Sequence, residues 1–272
     1  MEKITLNNNL KMPMVGYGTY QIPPLETLKH VGQAIRLGYR LIDTAQYYQN
    51  ETGVGEAIRE SGLERQEFFV TTKVQTDGYL ETKQSLDDSL RRFNGDYFDL
   101  VLIHWPMHDN LATYRALEEA YRDGKILGIG LSNFNVPQVQ EIIDHADVKP
   151  VVDQIETHLL WQQRRMHNYL AKVGMVHEAY APLGEGNDGF LDQPELKVIA
   201  DKYHKTPAQI TLRFLIQQGI VVIPKSLNPQ HMAENLAIFD FNLSEDDMTK
   251  LSQLDVKQAI DGWPASMQED NY

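Results

Sequence analysis

The sequence predicts an α/β protein folded as a single (β/α)8 TIM barrel, because three features of the chain agree. The chain has 272 residues, and barrels of this type typically occupy about 250 residues in one domain. Short apolar runs rich in β-branched residues alternate with longer amphipathic stretches. Several runs, such as Leu100–Ile103, lack polar–apolar alternation, which is typical of strands buried on both faces. We therefore predict one domain over residues 1–272.

Eight apolar runs form the predicted barrel strands. They are Met14–Gly18, Arg40–Asp43, Phe68–Lys73, Asp99–His104, Ile126–Leu131, Val151–Ile155, Met175–Tyr180 and Ile220–Pro224. Before them, Ile4–Leu6 and Leu10–Met12 flank three asparagines, which predicts an N-terminal β-hairpin that covers the bottom of the barrel. An open, doubly wound sheet uses the same alternation and is the alternative fold.

Helices are predicted between these strands. The stretch after the first strand repeats apolar residues at helical spacing, at Leu25, Leu28, Val31 and Ile35. Late in the chain, Thr206 precedes Pro207 and Gln209 in the pattern of a capping box with a first-turn proline. Ser244 begins an extra C-terminal helix in the same way.

Composition excludes several classes of function. The formal net charge of −13 disfavours binding to nucleic acid, because an acidic surface repels phosphates. The absence of cysteine excludes disulfides, thiolate catalysis and cysteine-ligated metals. The N-terminus lacks the apolar core of a signal peptide, and no apolar run approaches the ~18 residues of a membrane helix. We expect a soluble, cytoplasmic protein that binds neither nucleic acid nor membrane.

Polar side chains cluster at the C-terminal ends of the predicted strands, where (β/α)8 barrels carry their active sites. From strand two to strand eight these residues are Asp43, Lys73, His104, Ser132, Asn133, Gln154, Tyr180, Lys225 and Ser226. Each one alone is explained by a turn, a surface amine or a packed loop residue. Together, at matching ends of successive strands, they predict a functional site.

The same regions carry seven motifs in a fixed order. The motifs are Leu41–Ala45 followed by Tyr48, Asn50 and Glu51; Thr72–Val74; Leu102–Pro106; Gly130–Phe134; Asp153–Glu156; Ala179–Leu183; and Ile223–Ser226. In content and order they resemble the aldo-keto reductase superfamily, close to its bacterial 2,5-diketo-D-gluconate reductase-like members, over nearly the whole chain. The resemblance implies an oxidoreductase that transfers a hydride from NADPH to an aldehyde, ketone or sugar carbonyl.

The resemblance also implies a catalytic tetrad of Asp43, Tyr48, Lys73 and His104. Hydride addition leaves negative charge on the carbonyl oxygen, and Tyr48 is the implied proton donor. A free phenol has a pKa near 10, and we expect the neighbouring Lys73 ammonium to lower the pKa of Tyr48. Asp43 would hold Lys73 charged, and His104 would position the carbonyl by a hydrogen bond. No metal is implied, because the acid and the oriented donor together polarise the carbonyl.

The cofactor residues follow from the same resemblance, which implies NADPH bound in extended form without a Rossmann domain. The implied contacts are Tyr180 for the nicotinamide ring; Ser132, Asn133 and Gln154 for its carboxamide; Lys225 and Ser226 for the adenosine 2′-phosphate; and Glu234 and Asn235 for the adenine.

The chain departs from the family pattern at a few positions. His231 stands where many members carry arginine, whose charged fork grips phosphate, whereas histidine is mostly neutral near neutral pH. The preference for NADPH is therefore expected to be weaker or pH-dependent, and use of NADH is possible. Tyr20 stands where tryptophan is frequent, and with Trp105 and Trp263 it is a candidate for lining a relatively polar substrate pocket.

Two other classes of protein remain as alternatives. A nucleotide-binding regulatory or structural protein on the same fold would bind NADPH without turnover, but it would need neither Tyr48 nor Lys73. An unrelated barrel lyase or isomerase would leave Ile223–Ser226 unexplained. The resemblance favours a monomeric enzyme that acts on a small carbonyl compound.

Overall fold

The computed structural model of the protein describes residues 2–187, 189–260 and 265–272. Within them, a two-stranded antiparallel hairpin precedes a sheet of eight parallel strands whose spatial order follows the chain. The strands are β1 (Lys3–Thr5), β2 (Lys11–Pro13), β3 (Gly16–Gly18), β4 (Leu41–Asp43), β5 (Phe69–Val74), β6 (Leu100–Ile103), β7 (Ile129–Ser132), β8 (Val152–Glu156), β9 (Val176–Tyr180) and β10 (Val221–Val222).

The sheet closes on itself where its first and last strands meet. Val15, just before β3, forms a parallel bridge with Val222 of β10, and the Val222 amide donates to the carbonyl oxygen of Met14 at 3.0 Å. This closure confirms the predicted (β/α)8 barrel and rules out the open sheet.

Helices follow each barrel strand, and β9 and β10 are each followed by two of them. The helices are α1 (Pro24–Leu37), α2 (Glu51–Glu60), α3 (Tyr79–Phe93), α4 (Asn110–Arg122), α5 (Val136–His145), α6 (Arg164–Val173), α7 (Pro194–Tyr203), α8 (Pro207–Ile216), α9 (Pro229–Leu236) and α10 (Glu245–Ser252). The predicted capping box of α8 is present, with the Gln209 amide donating to Thr206 Oγ1 at 3.2 Å. Ser244 caps α10, the predicted extra C-terminal helix. None of the helices in the described ranges has both the length and the apolar character needed to cross a membrane.

The hairpin lies at the N-terminal end of the barrel, opposite the predicted site. Asn7 Nδ2 donates to the carbonyl of Pro150 at 2.9 Å, and Asn8 Nδ2 donates to the carbonyl of Leu127 at 3.0 Å. Both carbonyls lie just before barrel strands, β8 and β7. Met12 of β2 is fully buried. The C-terminal ends of the strands are thereby left for the site.

The segment after β10 reaches the rim of the barrel because of two residues. Pro224 has no backbone N–H, so it cannot extend the strand ladder. Gly18 allows the closest approach, since a Cβ at this position would lie 2.7 Å from the backbone oxygen of Ile223. Its amide donates to the Pro224 carbonyl at 3.3 Å. This contact places the next residue, Lys225, at the cavity at the C-terminal ends of the strands.

Candidate active site

A cavity of about 360 Å³ opens at the C-terminal ends of the barrel strands. Its lining includes most of the side chains predicted from the sequence: Asp43, Tyr48, His104, Ser132, Asn133, Gln154, Tyr180 and Lys225, together with Tyr20 and Trp105, two of the predicted substrate-pocket residues. The structure therefore brings together residues from seven different barrel strands or the loops that follow them. Trp263, the third predicted pocket residue, lies outside the described residues.

A buried ion pair contacts the hydroxyl of Tyr48. Lys73 Nζ donates to Asp43 Oδ1 at 2.5 Å and to the Tyr48 hydroxyl at 3.3 Å. It also donates to the backbone carbonyl of Thr44 at 3.1 Å. The Lys73 and Asp43 side chains are 1% and 2% exposed, so the ammonium is held by three oxygen acceptors away from water. This arrangement aims a fixed positive charge at the phenol oxygen.

Local bonds fix the loop that carries Tyr48. The residue lies in a 3₁₀ turn, Gln46–Tyr48, directly after β4. Asn50 links this loop to the loop after β3, because its Oδ1 accepts from Thr44 Oγ1 at 2.6 Å and its Nδ2 donates to the Thr19 carbonyl at 3.0 Å. The position of the phenol is therefore set by buried hydrogen bonds rather than by the loop sequence alone.

The acidity of Tyr48 differs from the sequence-based expectation. Burial raises the pKa of Tyr48 to about 12, although the adjacent Lys73 ammonium lowers it. The expected net direction was therefore wrong, since desolvation of the phenolate outweighs the attraction of one ammonium. The phenol keeps its proton at neutral pH, which is the form that a proton donor needs.

His104 is neutral under the same conditions. Burial, and then the Lys73 charge, lower the pKa of the His104 imidazole to about 3. Its ring meets the edge of Tyr48 at 5.8 Å and stacks on Trp105 at 5.6 Å, and its Nδ1 is buried without a hydrogen-bond partner among the described residues. A neutral imidazole donates one hydrogen bond but is a poor acid, which leaves Tyr48 as the better proton donor.

A second group of polar side chains forms a bonded wall beside the tetrad. Ser132 Oγ donates to the Gln154 carbonyl at 2.8 Å, and Asn133 Nδ2 donates to the His104 carbonyl at 3.2 Å. Tyr180 Oη donates to Asn133 Oδ1 at 2.9 Å. These side chains are thus oriented in advance toward the cavity, which reduces the cost of ordering them around a ligand.

Gln154 connects this wall to two buried carboxyls. Its Nε2 donates to Asp43 Oδ2 at 2.8 Å and to Glu178 Oε2 at 2.9 Å. Burial, reinforced by the Asp43 charge, raises the pKa of Glu178 to about 8. Glu178 is not among the residues predicted from the sequence, because it lies inside β9 rather than at its end. The available signal was its spacing of two residues from Tyr180, which places both on one face of the strand.

Comparison with known proteins decides the family. The model of the Aldo/keto reductase family matches residues 14–256. The chain belongs to the aldo/keto reductase family. The predicted class of function, carbonyl reduction by an NADPH-dependent oxidoreductase, is thereby confirmed.

Named relatives of this family member cover almost its full length. The chain is 42% identical to a glyoxal reductase of Bacillus subtilis, over 95% of both chains. It is 39% identical to a methylglyoxal reductase of Escherichia coli, over 93% of both chains.

Solved structures of reductases show the same barrel. An aldo-keto reductase from a deep-sea metagenome library of the Medee basin superposes with a TM-score of 0.92 at 41% identity, covering 94% of this chain and 96% of that one. An aldo-keto reductase of Bombyx mori in complex with NADP superposes with a TM-score of 0.90 at 34% identity, covering 95% and 94% of the two chains.

The residues predicted to bind the outer part of the cofactor lie at the edge of the cavity or beyond it. Lys225 is exposed at the rim, and Ser226 follows it with its backbone carbonyl held by Tyr17 Oη at 2.7 Å. On α9, His231 is exposed, Glu234 is half-buried and accepts from Gln230, and Asn235 is buried. These four residues after Lys225 are adjacent to the site along the chain but do not line it. The described residues contain no group of three or more histidine and carboxylate side chains suited to a metal ion.

Proposed function

We propose that this reductase transfers a hydride from NADPH to a small aldehyde or ketone, with Tyr48 as the proton donor. The observation that carries the proposal is the chain of contacts from Asp43 through Lys73 to the Tyr48 hydroxyl, at 2.5 Å and 3.3 Å, which ends at the cavity. The buried ammonium stabilises the phenolate, so the phenol can give its proton to a substrate oxygen on which negative charge develops.

Each member of the tetrad has one task in this scheme. NADPH, when bound, supplies the hydride. Tyr48 donates its proton to the carbonyl oxygen as charge develops there, and Lys73 stabilises the resulting phenolate across the 3.3 Å contact. Asp43 compensates the buried Lys73 charge, which would otherwise be costly to keep in the barrel interior. His104, neutral and next to Tyr48, orients the carbonyl through one N–H.

The residues around the cavity fit the cofactor that the family uses. The cavity runs from the tetrad to exposed Lys225, which makes no ion pair within the described ranges. We assign Tyr180 to the nicotinamide ring; Ser132, Asn133 and Gln154 to its carboxamide; Lys225, Ser226 and His231 to the 2′-phosphate; and Glu234 and Asn235 to the adenine. Asn228 caps the start of α9 beside Lys225, so the helix dipole adds to the attraction for a phosphate.

The substrate that we propose is small and uncharged, such as a 1,2-dicarbonyl or a short hydroxyaldehyde. The cavity of about 360 Å³ must also admit the nicotinamide, which limits the space for the carbonyl compound. Glu156 and Glu185 line it together with Tyr20 and Trp105, so its charge disfavours a carboxylate. The relatives named as glyoxal and methylglyoxal reductases support this class.

The remaining expectations concern the whole molecule. We propose that residues 1–272 form one domain that acts as a monomer in the cytoplasm, without a nucleic-acid partner. The near full-length match to the family model supports the single domain, and the net charge of −13 supports the absence of nucleic acid. Light scattering coupled to size-exclusion chromatography tests the monomer directly.

The deciding experiment follows NADPH absorbance with a panel of aldehydes, ketones, dicarbonyls and keto-sugars, for the wild type and for Tyr48→Phe. We expect the substitution to lower kcat by roughly a thousandfold, since it removes the acid but little volume. NADPH binding, followed by fluorescence, should be retained. A Tyr48→Phe enzyme with more than about a tenth of wild-type turnover would assign the proton donor elsewhere. NADPH binding without turnover across the panel would favour a regulatory protein.

A further inference from the structure

A buried carboxyl next to the tetrad takes no part in the scheme above. Glu178 is fully buried in the middle of β9, where its neighbours in register are Gln154 of β8 and Val221 of β10. It lies two residues before Tyr180, so the two side chains project from the same face of the strand. Glu178 therefore lies one layer below the cavity, inside the barrel.

The charges around Glu178 do not balance if every group is ionised. The ionisable groups that act on it are Asp43 of β4 and Lys73 of β5, while β8 and β10 contribute the neutral Gln154 and Val221. Lys73 is already bonded to Asp43 at 2.5 Å. An ionised Glu178 would leave a net negative charge in a fully buried cluster, which is strongly unfavourable. A protonated Glu178 leaves the cluster neutral.

The hydrogen bonds of Gln154 indicate what this neutral carboxyl does. Gln154 Nε2 has two hydrogens, and both are used, one on Asp43 Oδ2 at 2.8 Å and one on Glu178 Oε2 at 2.9 Å. Because both acceptors lie on the interior side, the nitrogen of the Gln154 side-chain amide faces the barrel interior. The oxygen Oε1 of Gln154 is then the atom left to accept a hydrogen bond from a ligand in the cavity.

We propose that Glu178 is a positioning residue for the reaction: together with Asp43, its carboxyl locks the amide of Gln154 so that the amide oxygen faces the cofactor site. The inference rests on the proposed roles of Gln154 and the tetrad. An amide nitrogen held in this way cannot rotate into the cavity, so Gln154 presents one fixed acceptor to the carboxamide of the nicotinamide.

The same arrangement makes the site sensitive to alkaline pH. Burial keeps Glu178 protonated up to about pH 8. Above this value a second carboxylate forms beside Asp43, and its negative charge further disfavours the Tyr48 phenolate and so weakens the proton donor. Burial raises the pKa of Tyr48 to about 12, so a fall in turnover near pH 8 would not come from Tyr48 itself.

Two variants separate the charge of Glu178 from its hydrogen bond. Glu178→Gln keeps an acceptor for Gln154 and is neutral at every pH, whereas Glu178→Met keeps the volume but removes the acceptor. We expect Glu178→Gln to retain wild-type turnover at neutral pH within about threefold and to lose the alkaline decline, which in the wild type should reach roughly tenfold. We expect Glu178→Met to weaken NADPH binding by about fivefold.

Urea unfolding of the wild type and Glu178→Gln gives a readout that is independent of turnover. A carboxyl with a folded-state pKa raised from 4.5 to about 8 loses its contribution to stability as the pH rises between these values, because the unfolded state releases its proton first. The unfolding midpoint of the wild type should therefore fall relative to that of Glu178→Gln from about pH 5 to about pH 8.

Three outcomes would overturn the inference: a constant difference in midpoint over this range, identical pH–rate profiles, or NADPH binding unchanged in Glu178→Met. The urea experiment remains valid if no panel substrate is turned over. Failure of the reductase scheme is thereby distinguished from failure of the role of Glu178. If Glu178→Met does not fold, the pH profiles and midpoints of Glu178→Gln still decide.

Discussion

The two ends of the proposed site are built differently. At the chemical end, Asp43, Lys73 and His104 are at most 6% exposed, and Lys73 is bonded to both Asp43 and Tyr48. At the phosphate end, Lys225 and His231 are exposed. The same protein thus holds one set of charges inside its core and leaves another in water.

Because of this difference, substitutions at the two ends are expected to change different properties of the protein. Buried charges interact strongly and must be balanced, so one substitution there alters both chemistry and stability. Exposed charges are screened by salt and contribute little to folding, so a substitution there changes mainly affinity for an anionic ligand.

Lys73→Met should lower both the turnover and the stability of the enzyme. Turnover should fall by at least about a hundredfold, because Tyr48 loses its stabilising ammonium. The free energy of unfolding should also fall, by about 3 to 5 kcal/mol, because Asp43 is left buried without its cation. Urea denaturation and NADPH consumption measure the two effects.

The double variant Asp43→Asn, Lys73→Met provides the matched control. Removing both charges should restore much of the stability but none of the turnover, since the cost comes from an unpaired charge. A single Lys73→Met variant that remains within about 1 kcal/mol of the wild type would contradict the account of the buried pair.

Lys225→Ala should weaken NADPH binding by roughly tenfold at low salt, because it removes a charge-assisted contact to the 2′-phosphate. The effect should shrink as salt is added, and stability should change by less than about 0.5 kcal/mol. NADH lacks the 2′-phosphate and is the control ligand. Equal losses for NADPH and NADH in fluorescence titrations would place Lys225 elsewhere along the cofactor.

His231→Arg should have the smallest effect, a gain of about threefold to tenfold in NADPH affinity. A guanidinium adds a permanent charge and a fork of donors at an exposed position of α9, while binding of NADH should not change. If wild-type affinity for NADPH is already tight and constant between about pH 6 and about pH 8, His231 does not limit cofactor preference.

The sequence was sufficient for the barrel and for the location of the site. Apolar runs such as Leu100–Ile103 identified strands, since a parallel sheet covered on both faces tolerates few polar residues. Polar residues at strand ends identified the cavity, because parallel strands bring those ends to one side. The boundaries moved by one to three residues, most at β7, which begins at Ile129 instead of the predicted Ile126.

What the sequence could not supply depended on burial in three dimensions. The pKa of Tyr48 is set by a balance between desolvation and Lys73, and the pattern of residues reveals the partner but not the desolvation. Glu178 was not predicted for a related reason. Inside a strand, a single acidic residue gives no indication that Gln154 and Asp43 meet it from other strands.

Closure of the barrel also affects how the chain can fold. The bridge between Val15 and Val222 joins segments at nearly opposite ends of the sequence, so it has the large loop-closure cost of a non-local contact. During synthesis, β3 and the growing sheet each keep an open edge until β10 has left the ribosome. Exposed strand edges promote association between chains, so the nascent protein is most vulnerable to aggregation before this last seam forms.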